Sequence, residues 1–463
     1  MYQQEEKNNF YIFSPTDYRY SVKDLKEYLT EEAFIKYKIK VEQALVKVMA
    51  KYKLCSEDIA KEIIDASQKI TAEEVYAEEE RIKHDIRALV NCIKRKVSDK
   101  AKPYVHLFAT SYDIIDTANA LRFKDATFKV ILPDMLKLEN IWMELALKYK
   151  DTIQIGRTHG QHAEPITFGF AISQYVNRWG ERILKLKEST ENLVGKFSGA
   201  VGAYNASFLF FDNPEEFEKA VLLELGLKPA NISTQIIPPE PMLDFFHAII
   251  SSFGVLANFA DDARHLQRSE ISEIYESFEK EQVGSSTMPQ KRNPINFENV
   301  KSAWKVFMPR MITIYMDQIS EHQRDLTNSC SQRYLPEILV GFCSSIRRMI
   351  KVCSKLKVDE VNMLKNFKMN QSNLIAEPLY IILASLGHPD SHEYVRKKTL
   401  ESIQNNKSLY DIIKEDISIK PYLEKLTPFQ KEILSNPSKY IGISPKKTEK
   451  IVNLWKEKLK KIL

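Results

Sequence analysis

Long stretches with helical spacing of apolar residues constrain the fold of this chain more than any other feature. Between residues 168 and 193 apolar side chains recur at alternating intervals of four and three, and the theme returns at 244–268 and 299–319. This spacing puts the apolar side chains on one face of a helix. Only 13 of the 463 residues are glycine, so turns are few. We therefore predict an all-α fold in which helices of about 20 or more residues lie side by side.

The breaks between helical stretches suggest how the chain divides. Beyond about residue 357 the helices shorten, and proline and glycine become more frequent. The chain length suits about three domains of ordinary size. We expect an N-terminal helical domain at 1–105, a central bundle of long helices at 106–356 and a C-terminal helical domain at 357–463.

Charge and cysteine usage limit the partners and the compartment. The 67 basic and 62 acidic residues leave a net charge of +5 without a basic block, which predicts no nucleic-acid partner. The five cysteines show no CxxC spacing, which argues against a disulfide framework or a zinc site and for a reducing compartment. The first residues lack the apolar core of a signal sequence, and we see no apolar run near the roughly 18 residues of a membrane helix. We expect a cytoplasmic protein without a membrane partner.

The most unusual stretch runs from Gly284 to Pro294 and reads Gly-Ser-Ser-Thr-Met-Pro-Gln-Lys-Arg-Asn-Pro. Its small residues form no core contact, so we predict a mobile loop at 279–294. Asn293 followed by Pro294 predicts an N-cap and the first residue of a helix. Lys291 and Arg292 then precede the positive end of a helix dipole, a setting that attracts carboxylates and stabilises developing negative charge. An ordinary linker explains any three of these residues but not the whole string.

The first candidate histidine, His84, stands between Lys83 and Asp85 in a charged helical region. A histidine in such a setting is most often solvated or salt-bridged. An imidazole is also suited to proton exchange or phosphate contact near neutral pH. The residues alone leave both interpretations open.

A second polar segment, from Arg157 to Pro165, interrupts two apolar helices and contains His159 and His162. Two histidines three residues apart on a helix bind metal in some proteins. Gly160 and Pro165 make a regular helix unfavourable here, and a third ligand is not evident nearby. We therefore expect no metal at this segment.

Hydroxyl groups and arginines mark two further candidate anion sites. Thr110 and Ser111 precede a helix, where they serve either as simple caps or as ligands for a carboxylate. Arg324, Ser329 and Arg333 are either scattered surface residues or a phosphate clamp, because each guanidinium donates two parallel hydrogen bonds to phosphate oxygens.

These segments carry a family resemblance. The string from Gly284 to Pro294 resembles the signature loop of the fumarase/aspartase superfamily, whose members release fumarate from succinyl-type substrates. Other segments resemble one family within it, the adenylosuccinate lyases, namely Ser-Pro-Thr-Asp-Tyr-Arg-Tyr at 14–20, Lys-His-Asp at 83–85, Thr-Ser at 110–111, Arg-Thr-His-Gly-Gln-His at 157–162 and Gln-Arg-Asp-Leu-Thr-Asn-Ser at 323–329. The resemblance spans nearly the whole chain. Tyr18, Phe108 and Tyr112 depart from the family pattern.

The resemblance implies specific roles for residues of this chain. Ser285 is the implied base, His159 the general acid and His84 a second active-site histidine. The residues implied to bind substrate are Arg19, Tyr20, Lys83, Asp85, Thr110, Ser111, Thr158, Gln235, Lys291, Asn293, Arg324, Ser329 and Arg333.

The same resemblance implies a three-domain fold whose central bundle forms the core of a homotetramer, with sites shared between three subunits. The implied reaction is β-elimination of fumarate from adenylosuccinate to give AMP, and from SAICAR to give AICAR, with no metal or organic cofactor. The alternatives are a sister lyase of the argininosuccinate lyase or carboxymuconate cycloisomerase type, and a catalytically silent structural relative.

Overall fold

The computed structural model describes residues 13–278, 281, 284–460 and 462. Helices dominate it, so the predicted all-α class is confirmed. The N-terminal helices are α1 (Lys26–Leu29), α2 (Glu31–Lys51), α3 (Glu57–Ser67), α4 (Ala72–Ile82), α5 (Asp85–Arg95) and α6 (Ser111–Ala126). The middle of the chain forms α7 (Leu132–Lys148), α8 (Phe168–Glu191), α9 (Pro214–Glu224), α10 (Glu240–Leu266), α11 (Ile295–Phe307), α12 (Arg310–Met316) and α13 (Leu335–Cys353). The C-terminal helices are α14 (Glu360–Met369), α15 (Ala376–Ser385), α16 (Ser391–Asn405), α17 (Leu409–Glu415), α18 (Lys420–Leu423), α19 (Pro428–Ser435) and α20 (Ser444–Leu459).

Small two-stranded sheets accompany these helices in the described chain. The strands are β1 (Ile153–Thr158), β2 (Gln161–Thr167), β3 (Val194–Gly195), β4 (Lys228–Pro229), β5 (Ile274–Tyr275) and β6 (Lys357–Val358). β1 and β2 form an antiparallel hairpin, β3 pairs with β4 in parallel, and β5 pairs with β6 antiparallel. The hairpin occupies the polar segment that the sequence placed between two helices.

The predicted apolar stretches become helices, with one correction. The stretches at 168–193 and 244–268 correspond to α8 and α10. The stretch at 299–319 is not one helix but two, because α11 ends at Phe307 and α12 begins after Pro309. Proline has no N–H to continue the helical hydrogen bonds, and its ring clashes with the preceding turn.

The chain divides into two compact units. The first contains the chain through Leu136 together with 182–254 and 302–347, and the second contains 137–181, 255–301 and 348 onward. Every boundary between them falls inside a helix, namely α7, α8, α10, α11 or α13. The three-domain division at residues 105 and 356 stays a prediction.

The core of the first unit is built around α2, which packs against α3, α6 and α9. Thr30 caps α2 by accepting a hydrogen bond from the Ala33 N–H at 3.2 Å. On its buried stripe Val41, Leu45 and Val48 are fully buried. Burial of each such side chain contributes about 1.5–3 kcal/mol to folding.

Aromatic side chains from α7, α8, α10 and α11 form the core of the second unit. The rings of Trp142 and Phe259 lie 4.6 Å apart, and Trp179 and Tyr175 meet Trp142 at 5.7 and 6.0 Å. Phe297 contacts Phe259 at 6.4 Å. These separations are those of favourable offset and edge-to-face ring pairs.

Helix α10 is the one helix among the described residues that is long and apolar enough to cross a membrane. Of its most apolar 18-residue window, 67% is buried inside the protein. A core helix of a water-soluble domain passes the same test of length and composition.

Glu139 on α7 carries a carboxyl group that is fully buried, and neither of its oxygens has a hydrogen-bond partner among the described residues. Burial raises its pKa well above the ordinary glutamate value, because an unpaired carboxylate loses its hydration. The group therefore stays protonated in the folded chain at a pH where the unfolded chain ionises it.

Glu139→Gln tests this placement. The pKa of Glu139 is higher in the folded chain than in the unfolded chain, so its contribution to the free energy of unfolding is complete below the unfolded-state pKa. Between the two pKa values this contribution falls by about 1.4 kcal/mol for each unit of rising pH. The glutamine variant, which does not titrate, should gain stability relative to wild type as pH rises. Urea unfolding at pH 5 and pH 8 measures this, and an equal difference between the two proteins at both values would contradict it.

Candidate active site

A cavity of about 420 Å³ lies within the first unit. It brings together predicted site residues from four separate parts of the chain. Those that line it are Lys83, His84, Asp85, Ser111, Gln235, Ser329 and Arg333. Since residues far apart in sequence converge here, this cavity is the candidate ligand site of the first unit.

The Lys83-His84-Asp85 motif forms the turn between α4 and α5. Lys83 ends α4 in the left-handed conformation, with φ of 58°, and His84 is the extended N-cap of α5. His84 Nδ1 accepts a hydrogen bond from the Arg87 N–H at 3.3 Å. The neutral imidazole therefore carries its hydrogen on Nε2, which makes His84 a hydrogen-bond donor for a ligand.

Thr110 and Ser111 begin α6, as the sequence predicted. Thr110 forms a capping box with Asp113, whose Oδ2 accepts a hydrogen bond from the Thr110 N–H at 2.8 Å. Ser111 lines the cavity, whereas Thr110 lies beside the lining. The first turn of α6 thus serves both as a cap and as one wall of the site.

A buried ion pair fixes this helix start. Asp113 Oδ1 accepts a hydrogen bond from Lys196 Nζ and another from the Gly199 N–H at 3.3 Å. Lys196 is fully buried, and its Nζ also donates to the Gly199 carbonyl at 3.2 Å. Both carboxylate oxygens are therefore occupied, and they tie the Thr110 segment to the loop after β3.

Arg324 is not among the residues that line the cavity, but it contacts Tyr112, which is. Its guanidinium lies 3.9 Å from the ring centre of Tyr112, donates to the Tyr112 hydroxyl, and donates through Nη1 to Asn328 Oδ1 at 2.7 Å. Arg324 Nε is buried without a partner among the described residues. Tyr112, one of the departures from the family pattern, thus holds the arginine that the sequence assigned to phosphate.

Phe108, another departure, adopts the left-handed backbone conformation with φ of 69°. Its ring packs against Phe210 at 5.0 Å and Phe217 at 5.9 Å. The larger side chain therefore joins an aromatic cluster beside the Thr110 segment.

Arg19 and Tyr20 do not line the cavity. They belong to a turn in which the Tyr20 N–H donates to the Pro15 carbonyl at 3.0 Å. Ser14 fastens this turn by donating to Glu337 Oε1 at 2.9 Å.

The remaining predicted residues belong to the second unit. Thr158 and His159 lie at the tip of the β1–β2 hairpin, where Thr158 pairs with Gln161. His159 and Gly160 have φ of 53° and 75°. Positive φ at both central residues is the pattern of a type I′ turn, which suits the twist of a hairpin. The imidazole of His159 is consequently exposed at the tip.

A buried carboxylate, Glu273, anchors this hairpin. Its Oε1 accepts from Arg157 Nη2 at 2.6 Å and from Asn366 Nδ2 at 2.9 Å, and its Oε2 accepts from Gln154 Nε2 at 2.7 Å. Glu273 is fully buried, and the arginine and the two amides replace the water that its carboxylate loses. The strand that leads to His159 is therefore rigidly placed.

His162 has a lowered pKa because of burial and of the neighbouring Arg157, and its Nδ1 is buried without a partner in the described chain.

The described residues contain no group of three or more histidine, cysteine or acidic side chains placed to hold a metal ion. The expectation that the protein uses no metal stays a prediction.

Ser285 lies in the loop before α11. Its Oγ accepts hydrogen bonds from the N–H groups of Thr287 at 3.3 Å and Met288 at 3.0 Å. Hydrogen bonds of this kind favour negative charge on the accepting oxygen. Residues 279, 280, 282 and 283 of the predicted 279–294 loop lie outside the described residues.

The helix after this loop begins later than the sequence predicted. α11 starts at Ile295, so Pro294 is not its first residue and Asn293 does not cap it. Instead, Glu276 Oε1 accepts from the N–H groups of Asn296 and Phe297, both at 2.9 Å. A carboxylate from before the loop therefore replaces the predicted cap.

Asn293 donates through Nδ2 to the Gly284 carbonyl at 3.1 Å and so closes the loop. A Cβ atom on residue 284 would collide with the Lys291 carbonyl oxygen, which explains the glycine. The Lys291 side chain itself is exposed.

Sequence reasoning passed over three residues of this region. His106 pairs with Glu42 through Nδ1 and Oε1 at 2.6 Å, four residues before Thr110. Lys38 and Arg122 line the cavity. A signal for Lys38 was present, because it occupies an apolar-stripe position between Phe34 and Val41.

Two family models match this chain. A family model described as "Lyase" matches residues 17–307, and one described as "Adenylosuccinate lyase C-terminal" matches residues 320–431. The adenylosuccinate lyase of Archaeoglobus fulgidus is 36% identical over 453 residues, covering 97% of this chain and 100% of the relative. That of Pyrococcus abyssi is 37% identical, covering 96% and 98%.

Solved structures show the same fold at lower identity. The 3-carboxy-cis,cis-muconate lactonizing enzyme from Pseudomonas putida superposes with a TM-score of 0.83 at 22% identity, covering 96% of this chain and 99% of the other. A fumarate lyase from Mesorhizobium sp. gives 0.82 at 20% identity, covering 94% and 98%.

The all-α fold and the match to the lyase model define a lyase of the fumarase/aspartase superfamily. Within that superfamily, the chain belongs to the adenylosuccinate lyase family. It is therefore an enzyme of the C–N lyase type, as the sequence predicted.

Lys196→Met tests the ion pair beneath the Thr110 segment. The variant leaves the Asp113 carboxylate buried without its cation, so we expect a loss of about 3–5 kcal/mol of unfolding free energy. Urea denaturation measures it. The control is Lys185→Met, an exposed lysine on α8 paired with Glu188, for which we expect a change below about 0.5 kcal/mol. A Lys196→Met protein as stable as wild type would contradict the assignment.

Proposed function

We propose that this protein eliminates fumarate from adenylosuccinate to give AMP, and from SAICAR to give AICAR. The observation that carries the proposal is the convergence of His84, Ser111, Ser329 and Arg333 on one cavity in a chain of the adenylosuccinate lyase family. Such a cavity offers donors to an anionic nucleotide.

The cavity of the first unit is assigned to the nucleotide and the neighbouring succinyl group. Ser329, Arg333 and Arg324 bind the phosphate, with Arg324 leaving Tyr112 when the ligand enters. His84 donates from Nε2, and Lys83 and Asp85 hold its turn. Thr110, Ser111 and Gln235 bind the succinyl part, and Arg19 and Tyr20 complete the nucleotide site. Thr158, in the second unit, is assigned to substrate binding without a subsite.

Ser285 is assigned as the base. Its Oγ takes the proton from the succinyl carbon next to the carboxylate, which creates a dianionic aci-carboxylate. The two backbone N–H donors on Oγ favour the anionic form of the serine that this step needs. Lys291 and Asn293 stabilise the carboxylate charge as it develops.

His159 is assigned as the general acid. When the C–N bond breaks, its electron pair goes to the purine nitrogen, which takes a proton from the imidazole. The new carbon–carbon double bond gives fumarate, and the nucleotide leaves as AMP. The exposed hairpin tip and its buried Glu273 anchor suit a residue that must reach a ligand from a fixed support.

The proposal includes a cytoplasmic homotetramer whose sites each draw on three subunits. Support comes from the apolar side chains of the α11–α12 region, since Val306, Ile312, Met316 and Ile319 are each more than half exposed. Exposed apolar stripes of this kind mark protein interfaces.

A sister lyase of the argininosuccinate or carboxymuconate type would have no use for the Ser329–Arg333 phosphate site. The alternative of a silent structural relative predicts no turnover at all. An absorbance assay with adenylosuccinate separates both from the proposal, because the purine spectrum changes on cleavage.

Ser285→Ala should bind AMP as wild type does and lower kcat for adenylosuccinate by several orders of magnitude, because the base is removed while the nucleotide site stays intact. Absorbance kinetics and AMP titration give the two quantities. Ser286→Ala, at the neighbouring hydroxyl, is the matched control and should keep most activity. Full turnover in Ser285→Ala would remove this serine from the mechanism.

Mixing inactive variants tests the shared sites. Ser285→Ala and His84→Gln, unfolded together and refolded, should regain part of the activity, because mixed tetramers then contain some sites with both residues intact. Each variant refolded alone should stay inactive. Sedimentation velocity checks that all samples are tetramers, and a mixture of tetramers without activity would argue against sites shared between subunits.

A further inference from the structure

Two cations that the family resemblance did not assign line the cavity of the first unit. Lys38, from α2, is 6% exposed, and Arg122, from α6, is 3% exposed. Both lie against the ring of Phe34, with Lys38 Nζ at 4.3 Å and Arg122 Cζ at 3.9 Å from its centre. One aromatic ring therefore holds two positive charges at the wall of the cavity.

Neither cation donates a hydrogen bond to a carboxylate of the described chain. The nearest carboxylate oxygen to Lys38 Nζ is that of Asp85, at 3.6 Å, which is longer than a hydrogen bond. Arg122 donates through Nε to Asn119 Oδ1 at 2.9 Å and forms no ion pair with any described residue. Buried cations without close counter-charges are costly unless an anion joins them.

The other charged residues that line the cavity are Glu31, Glu79, Asp85, Lys83 and Arg333, so with Lys38 and Arg122 the lining holds four cations and three carboxylates. Glu31 lines it, but its carboxylate accepts a hydrogen bond from the Tyr76 hydroxyl at 2.5 Å. Burial lowers the pKa of Lys38, Asp85 and Glu31 oppose this shift, and Arg122 and Arg333 add to it by smaller amounts. Burial also lowers the pKa of Arg122 to about 10. The three cations are thus close enough to repel one another.

We propose that Lys38 and Arg122 are substrate-binding residues that hold the phosphate of the purine nucleotide together with Ser329 and Arg333. The inference rests on the proposed function for the identity of the nucleotide. A phosphate monoester carries about 1.5–2 negative charges at neutral pH, which matches two buried cations that donate no hydrogen bond to a carboxylate better than a single carboxylate does. Arg122 adds a planar fork that suits phosphate oxygens.

This placement also explains how the phosphate is first attracted, before Arg324 leaves Tyr112 and Asn328. Lys38 and Arg122 present positive charge in the cavity without any rearrangement. Phe34 fixes both cations in advance, so little side-chain entropy is lost when the ligand arrives.

The test compares AMP with adenosine, which lacks the phosphate, by titration calorimetry. Lys38→Met and Arg122→Met should each weaken AMP binding by about 10- to 100-fold, the range expected for one charge-assisted hydrogen bond. Adenosine affinity should not change. The controls are Lys40→Met on α2 and Lys124→Met on α6, which remove the same charge outside the cavity lining. Unchanged AMP affinity, or an equal loss for adenosine, would overturn the proposal.

Thermal unfolding without ligand separates binding from structural support. If Lys38 mainly supports Asp85, Lys38→Met lowers the melting temperature, and that result counts against the proposal. We expect an equal or higher melting temperature, because a buried charge is replaced by an apolar side chain while Asp85, whose side chain is 27% exposed, keeps its contact with water, unlike Asp113. Lys38→Arg and Arg122→Lys should restore AMP binding.

Wild-type measurements keep the inference testable even if the methionine variants do not fold. AMP must bind wild type at least about tenfold more tightly than adenosine, and inorganic phosphate must compete with AMP; failure of either overturns the inference. Tight phosphate-dependent AMP binding without turnover of adenylosuccinate would sink the proposed function and leave the inference standing. Turnover of adenylosuccinate by wild type, with AMP affinity unchanged in both methionine variants, would overturn the inference and leave the proposed function standing.

Discussion

The carboxylate of Asp113 is the constraint on which the rest of the first unit's site depends. One oxygen caps the start of α6 at Thr110, and the other accepts from Lys196 and from the Gly199 backbone. Asp116, one turn later, accepts from the Ile237 N–H at 3.0 Å and so fixes the segment that carries Gln235. Buried, fully satisfied carboxylates of this kind specify one arrangement of several chain segments.

Local sequence patterns predicted much of the fold and part of the site. The apolar periodicity of α8 and α10 and the helix start at Thr110 follow from interactions within a few residues. The helical region predicted around His84 is instead divided into α4 and α5 by the turn at Lys83 and His84. Other features depend on partners far along the chain. Asp113 meets Lys196 across 83 positions, and Tyr112 meets Arg324 across 212. Rules based on local spacing cannot detect such contacts, so the contact of Arg324 with Tyr112 was not predicted.

The same reasoning explains the errors at helix ends. Asn293 has a suitable side chain for a cap, yet Glu276, 20 positions before Asn296, supplies the acceptor instead. Pro309 divides the 299–319 stretch although the apolar pattern continues through it. The cations at Lys38 and Arg122 were hidden for a different reason, since basic residues within amphipathic helices are normally assigned to a solvated face.

Glu276 sets the start of α11 independently of the loop that carries Ser285. Its carboxylate binds the backbone at Asn296 and Phe297, so the residues where the chain leaves and re-enters the folded body are fastened to each other. Substitutions, or even an altered number of residues, between these two points would leave the register of α11 intact. The loop can therefore be shaped by the chemistry that Ser285 serves, because the scaffold beneath it takes its alignment from Glu276.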